Sequence, residues 1–134
     1  MATIKKFEDI EAWQKARVLC NEIYIISVQT DLAKDFRFRD QINAAAGSIM
    51  DNISEGFDRG GRLELINFLT IAKGSAAEVK SQLYRVLDRK YISLEKFNEL
   101  YKLAEEIGGM IGSWVGYLNK SEIKGVKFKD RLQS

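Results

Sequence analysis

The chain has 134 residues, of which 46% are hydrophobic and 30% charged; this is the profile of a single soluble domain large enough to bury a core without staples. It contains no histidine and one cysteine, Cys20, which excludes intramolecular disulfides, histidine-based nucleophile triads, Glu-x-x-His di-iron sites and thiolate zinc centres. The formal net charge is only +2, but residues 120–134 hold five basic and two acidic side chains, whereas the other 119 residues hold 16 basic and 17 acidic.

The amino-terminal stretch MATIKKFEDIEAW has no apolar run behind its lysines, so no secretory signal is expected. No window offers the roughly 18 uncharged apolar residues of a membrane span. Together with the lone cysteine, this fits a cytoplasmic protein that does not enter the membrane.

Four segments carry helical spacing, and the absence of proline lets each run unbroken. The first extends from about Phe7 to Gln29, with Trp13, Ala16, Cys20, Ile23 and Ser27 spaced 3-4-3-4 and Ile10, Leu19 and Ile26 widening the stripe. Glu8, Asp9 and Glu11 sit where the helix dipole favours negative charge. After the short connection TDLAKD, the second runs from about Arg37 to Phe57, with Ile42, Ala45, Ala46, Ile49, Ile53 and Phe57 inside.

The stretch DNISEGFDRGG then makes a corner, in which Gly56 is read as the helix end and Gly60-Gly61 as the approach to the next helix. A phosphate-binding loop is the sharper alternative, but no lysine follows at P-loop spacing and no strand precedes. Asn52 and Glu55 share a helix face, and Glu78 lies on the antiparallel neighbour. Such carboxylates can perform acid–base chemistry, but without a nucleophile or histidine they read as part of a polar cluster. No catalytic residue, metal or cofactor is assigned.

The third segment runs from about Leu63 to Arg89, with Leu65, Leu69, Ala72, Ala76, Val79, Leu83 and Val86 in heptad register. The fourth starts near Ser93, read as an N-cap, and runs to about Asn119 with Phe97, Leu100, Ala104, Ile107, Ile111, Trp114 and Leu118 facing inward. Beside that face, Gly108, Gly112 and Gly116 recur every four residues. Each costs about 1 kcal/mol against alanine, which points to close approach of a helix from the same bundle or from another subunit. No segment alternates with the period of a strand. The architecture expected is an all-α, antiparallel up-down-up-down four-helix bundle over residues 1–119, followed by a loosely ordered basic tail, 120–134. The tail, with Phe128 among Lys120, Lys124, Lys127, Lys129 and Arg131, reads either as a nucleic-acid contact or as a solubilising extension.

The blocks FEDIEAWQKARVLCNEIY, FRDQINAAAGSIMDNISEGFDR and INFLTIAKGSAAEVKSQLYRV together resemble the four-helix-bundle protein family, also known as the 23S rRNA intervening-sequence protein family. The resemblance spans residues 7–119 and rests on a Trp-Gln-Lys-Ala block, an Asn-Ile-x-Glu-Gly-Phe block and an Ile-Ala-x-Gly-Ser-x-x-Glu block. It marks Trp13, Gln14, Lys15, Asn52, Glu55, Gly56, Phe57, Gly74, Ser75 and Glu78 as motif positions. It implies self-association into closed rings, typically of five subunits, and no attached enzymatic activity. A similar fold serves as the accessory protein of diversity-generating retroelements, a basic barrel that binds nucleic acid and a reverse transcriptase. Many relatives carry two arginines where this chain has Asn43-Ala44. The expectation is a non-catalytic homo-oligomeric scaffold or accessory protein for RNA or DNA, with Arg37, Arg39, Arg59, Arg62 and the tail cations as contacts. The alternative is a protein-binding or structural ring-forming module with no nucleic-acid affinity, with the glycine stripe and exposed aromatics as its interface.

Overall fold

The computed structural model describes the backbone of residues 4–133 and the side chains of residues 4–121. Four helices follow in order: α1 (Glu11–Gln29), α2 (Phe36–Asp58), α3 (Arg62–Asp88) and α4 (Leu94–Gln133). Residues 30–35, 59–61 and 89–93 connect them. Links this short cannot carry the chain back along a helix of 19 residues or more, so successive helices are antiparallel. Bonds between helices give the register. Lys15 on α1 donates to Glu106 on α4 (2.6 Å), and seven residues further along Lys96 donates to Glu22 (2.8 Å). Arg62 at the start of α3 donates to the carbonyl of Leu118 on α4 (3.2 Å). Each helix packs against its two neighbours in the sequence 1-2-3-4-1.

The interior follows the heptads. Leu19, Ile23, Ile42, Ile49, Ile53, Leu69, Val79, Leu83, Leu100, Ile107 and Ile111 are fully buried. Each large aliphatic contributes about 1.5–3 kcal/mol by leaving water. Ala16, Ala46, Ala72, Ala76 and Ala104 are buried among them. Trp13, Cys20, Phe57, Leu65, Trp114 and Leu118, all expected inside, lie half-buried at the rim of that core.

The ends depart from the sequence reading in three places. The first helix starts at Glu11, not Phe7, because Phe7–Asp9 form a single 3-10 turn and Ile10 is extended with its side chain buried. The connection after α1 holds a second 3-10 turn, Asp31–Lys34, set by Thr30, whose hydroxyl donates to the Ile26 carbonyl (2.5 Å) and accepts from the Leu32 amide (3.2 Å). Thr30 closes one helix and opens the next turn with one hydroxyl. And α4 continues past Asn119, the end read from the sequence, to Gln133. Its start matches expectation, since the Ser93 hydroxyl accepts from the Lys96 amide (3.1 Å). At the end of α3, the Tyr91 amide donates to the Val86 carbonyl (3.0 Å) across Lys90, which adopts φ +62. This six-to-one closure normally takes glycine at the left-handed position.

Candidate functional site

The corner between α2 and α3 is the most particular feature. Gly56 does not end α2; it lies inside the helix and is buried. A Cβ there would sit 2.6 Å from Phe68 Cβ on α3, so the two backbones approach more closely than any side chain allows. The turn is made by Gly60, at φ +78, four residues later. The Gly56 reading failed because a buried helical glycine and a terminal one look alike in sequence.

One turn above Gly56 the seam is keyed by polar groups. Asn52 Nδ2 donates to the Ser48 carbonyl (2.8 Å) and to Ser48 Oγ (2.9 Å), and Ser48 Oγ bonds Ser75 Oγ on α3 (2.9 Å). Two hydroxyls and an amide are thus satisfied inside an apolar interface, which admits one register of α2 against α3. Asn52 and Ser75 therefore meet through Ser48. Glu55 and Glu78 do not join them. Glu55 is exposed and holds Arg59 (3.0 Å), which also reaches Glu64 (3.9 Å). Glu78 accepts from Gln82 (3.3 Å), and by helix rise it lies about 14 Å along the bundle from Glu55. The polar cluster expected of Asn52, Glu55 and Glu78 is replaced by Asn52, Ser48 and Ser75. Sequence reasoning also missed Gln82, which is buried with its Oε1 unpartnered among the described residues.

Of the remaining motif positions, Trp13 and Phe57 pack against neighbours and Gln14 makes a local tie. Trp13 stacks edge-on against Phe7 (5.1 Å between centroids), and Arg17 lies 5.9 Å from the Trp13 ring. Gln14 reaches back to the Glu8 carbonyl (2.9 Å), tying the 3-10 turn to α1. Phe57 covers the core, while Gly74 is exposed with nothing within 4 Å of a Cβ built on it. The phosphate-loop reading is disfavoured by Glu64, whose carboxylate oxygen lies 2.9 Å from where a Gly61 Cβ would be, so an acid already occupies the approach to the α3 amino terminus.

Gly108, Gly109 and Gly112 of α4 line an open groove of about 550 Å³ between α3 and α4, with Lys73 and Lys80 on one side and Glu105 on the other. Gly108 makes ordinary contact with Ala76, Gly112 meets only the end of the Lys73 side chain, and Gly116 meets nothing within 4 Å. Close packing inside the bundle thus requires glycine at none of the three positions.

The arginines read as nucleic-acid contacts separate into two groups. Arg37 and Arg39 stand on the first turn of α2, and Arg59 and Arg62 flank its other end, about 33 Å away along the axis. Arg39 binds Asp40 (3.1 Å) and the Ala33 carbonyl (3.1 Å). Arg62, through Leu118, stands beside the part of α4 that carries exposed Lys120. Lys124, Lys127, Lys129 and Arg131 lie outside the residues whose side chains are described.

At the Arg39 end, Asp35 joins the two corners. Its carboxylate accepts from the Tyr91 hydroxyl (2.8 Å) and from Arg89 (2.5 Å). The Tyr91 hydrogen bond, then Arg89, holds the Asp35 carboxyl below the ordinary aspartate range. Arg85 and Arg89 cover the buried Phe38 ring at 4.3 and 5.0 Å.

Among the described residues, no three His, Cys, Asp or Glu side chains gather as a metal site, and no helix is long and apolar enough to cross a membrane. The molecule is an antiparallel four-helix bundle whose second and third helices are locked by a glycine contact and a serine–asparagine key. The chain belongs to the family of the 23S rRNA-intervening sequence protein, whose model matches residues 8–113. Among solved structures it is similar to a protein of unknown function from the S23 ribosomal protein family of Bacteroides thetaiotaomicron VPI-5482, at 26% identity and a TM-score of 0.71. That match covers 78% of this chain and 95% of the other. No curated protein matches the chain.

Proposed function

We propose that this protein is a non-catalytic, self-associating accessory or scaffold protein for ribosomal or other RNA. The carrying observation is the Arg62–Leu118 bond. It sets Arg59, Arg62 and Lys120 at one end of the bundle, the end where the net +3 sequence of residues 120–134 begins. RNA would be held at this end through phosphate contacts. The family name, which refers to 23S rRNA, supports RNA as the partner. Gly112, which lines the α3–α4 groove, and Gly116, one turn further along α4 with open space where a Cβ would be, support self-association at this face. There a helix of a second copy would offset the cost of glycine in a helix. Five subunits is the ring size expected.

Fluorescence titration of a structured rRNA fragment at several salt concentrations tests the reading. The full chain binds with an affinity that falls steeply with salt, and a chain ending at Asn119 binds markedly less. Sedimentation gives the mass, and Gly116→Leu lowers it to that of the monomer. A defined ring with no RNA affinity at low salt would instead favour a module that binds protein only.

A further inference from the structure

The opposite end of the bundle carries an aromatic that the fold does not use. Phe36, on the first turn of α2, is 65% exposed, more than any other large hydrophobic side chain among the described residues. Its neighbour two positions on, Phe38, is buried beneath Arg85 and Arg89, so the inner anchor of this turn is already in place. The Arg39 guanidinium lies 5.2 Å from the Phe36 ring centre and is itself fixed by the Ala33 carbonyl and Asp40. Exposed Arg37 follows directly.

The acids of this end are Asp31, Asp35, Asp40, Asp88 and Glu95. The first three are taken up by Lys34, Arg89 and Arg39. Outside those pairs stand Arg37, Arg85 and Lys90 against Asp88 and Glu95, so this end is positive by one charge. An exposed ring held beside a fixed guanidinium, in a positive setting, is the arrangement that stacks an unpaired base. A duplex offers no such face, because its bases already stack on one another. Charged neighbours on both sides of Phe36 also disfavour an apolar contact between copies.

We infer that this end is a second RNA contact, selective for single strands, in which Phe36 stacks an unpaired base and Arg37 receives the adjoining phosphate. The inference rests on the RNA reading above and adds to it a site some 33 Å from Arg59 and a preference for unpaired nucleotides.

The test uses the full chain, an unstructured RNA oligonucleotide, the same sequence as a duplex, and the variants Phe36→Ala and Phe36→Trp. Phe36→Ala should weaken single-strand binding roughly five- to hundred-fold, leave duplex binding within about twofold, and leave the sedimenting mass unchanged. Phe36→Trp should restore single-strand affinity. The inference is overturned if Phe36→Ala binds the single strand as tightly as the parent, if both RNA forms weaken alike, or if the mass of the assembly changes. The last result would assign Phe36 to a contact between copies. If the parent chain binds neither RNA at low salt, this inference and the RNA reading fall together; a silent Phe36→Ala on a parent that binds overturns only the inference.

Discussion

Gly56→Ala isolates the contact that joins α2 to α3. The added methyl would stand 2.6 Å from Phe68 Cβ, an atom fixed to its backbone and unable to swing aside. The helices must move apart by about an ångström, which for an overfilled core costs about 2 kcal/mol. Alanine also gains about 1 kcal/mol of helix propensity over glycine, so the net loss is about 1 kcal/mol. With an unfolding entropy of about 2.1 cal/mol/K per residue, the whole chain has about 280 cal/mol/K, and the midpoint should fall by about 3–4 °C. Thermal unfolding followed by circular dichroism at fixed protein concentration reads this directly. Gly74→Ala is the control, because the site is helical, exposed and open. It has the propensity gain without the clash and should rise by up to about 3–4 °C. A Gly56→Ala protein as stable as Gly74→Ala would refute the close approach.

Asn52→Ala removes both bonds to Ser48 and should cost about 1–2 kcal/mol, whereas Glu55→Ala removes only an exposed pair with Arg59 and should cost well under 1 kcal/mol; equal losses in urea melts would contradict the arrangement described. Lys90 holds a left-handed conformation, φ +62, that glycine adopts without penalty, so Lys90→Gly should stabilise by about 1 kcal/mol, and a loss would count against the closure of α3. Asp35 has a folded-state pKa below its unfolded value, chiefly through Tyr91 and then Arg89. Its stabilising contribution is therefore fully present above the unfolded pKa, near 4, and is lost as pH falls through the depressed folded value. Asp35→Asn should flatten the decline in midpoint below about pH 4, and an unchanged acid limb would remove Asp35 from that role.

The helices were legible because their apolar residues repeat with few interruptions; Leu69, Ala72, Ala76, Val79, Leu83 and Val86 are all buried as the heptads require. The Ser93 cap was legible because capping is local chemistry. The key of the α2–α3 seam was not. Ser48 and Ser75 are ordinary serines until register brings their hydroxyls to 2.9 Å, and a pattern of apolar positions passes over buried polar ones. The turn fell to Gly60 and not to Gly56 for the same reason, since the demand on Gly56 comes from Phe68 on another helix. The arginines looked like one set because α2 joins them in sequence, yet its length separates them in space.

The central claim is that the end holding Arg59, Arg62 and Lys120 serves RNA. The most direct measurement is the affinity of a structured rRNA fragment for the full chain and for a chain ending at Asn119, each at several salt concentrations. The logarithm of the binding constant should fall linearly with the logarithm of salt, with a shallower slope once the tail cations are removed. Absence of binding at low salt, or binding indifferent to both salt and the tail, would contradict it.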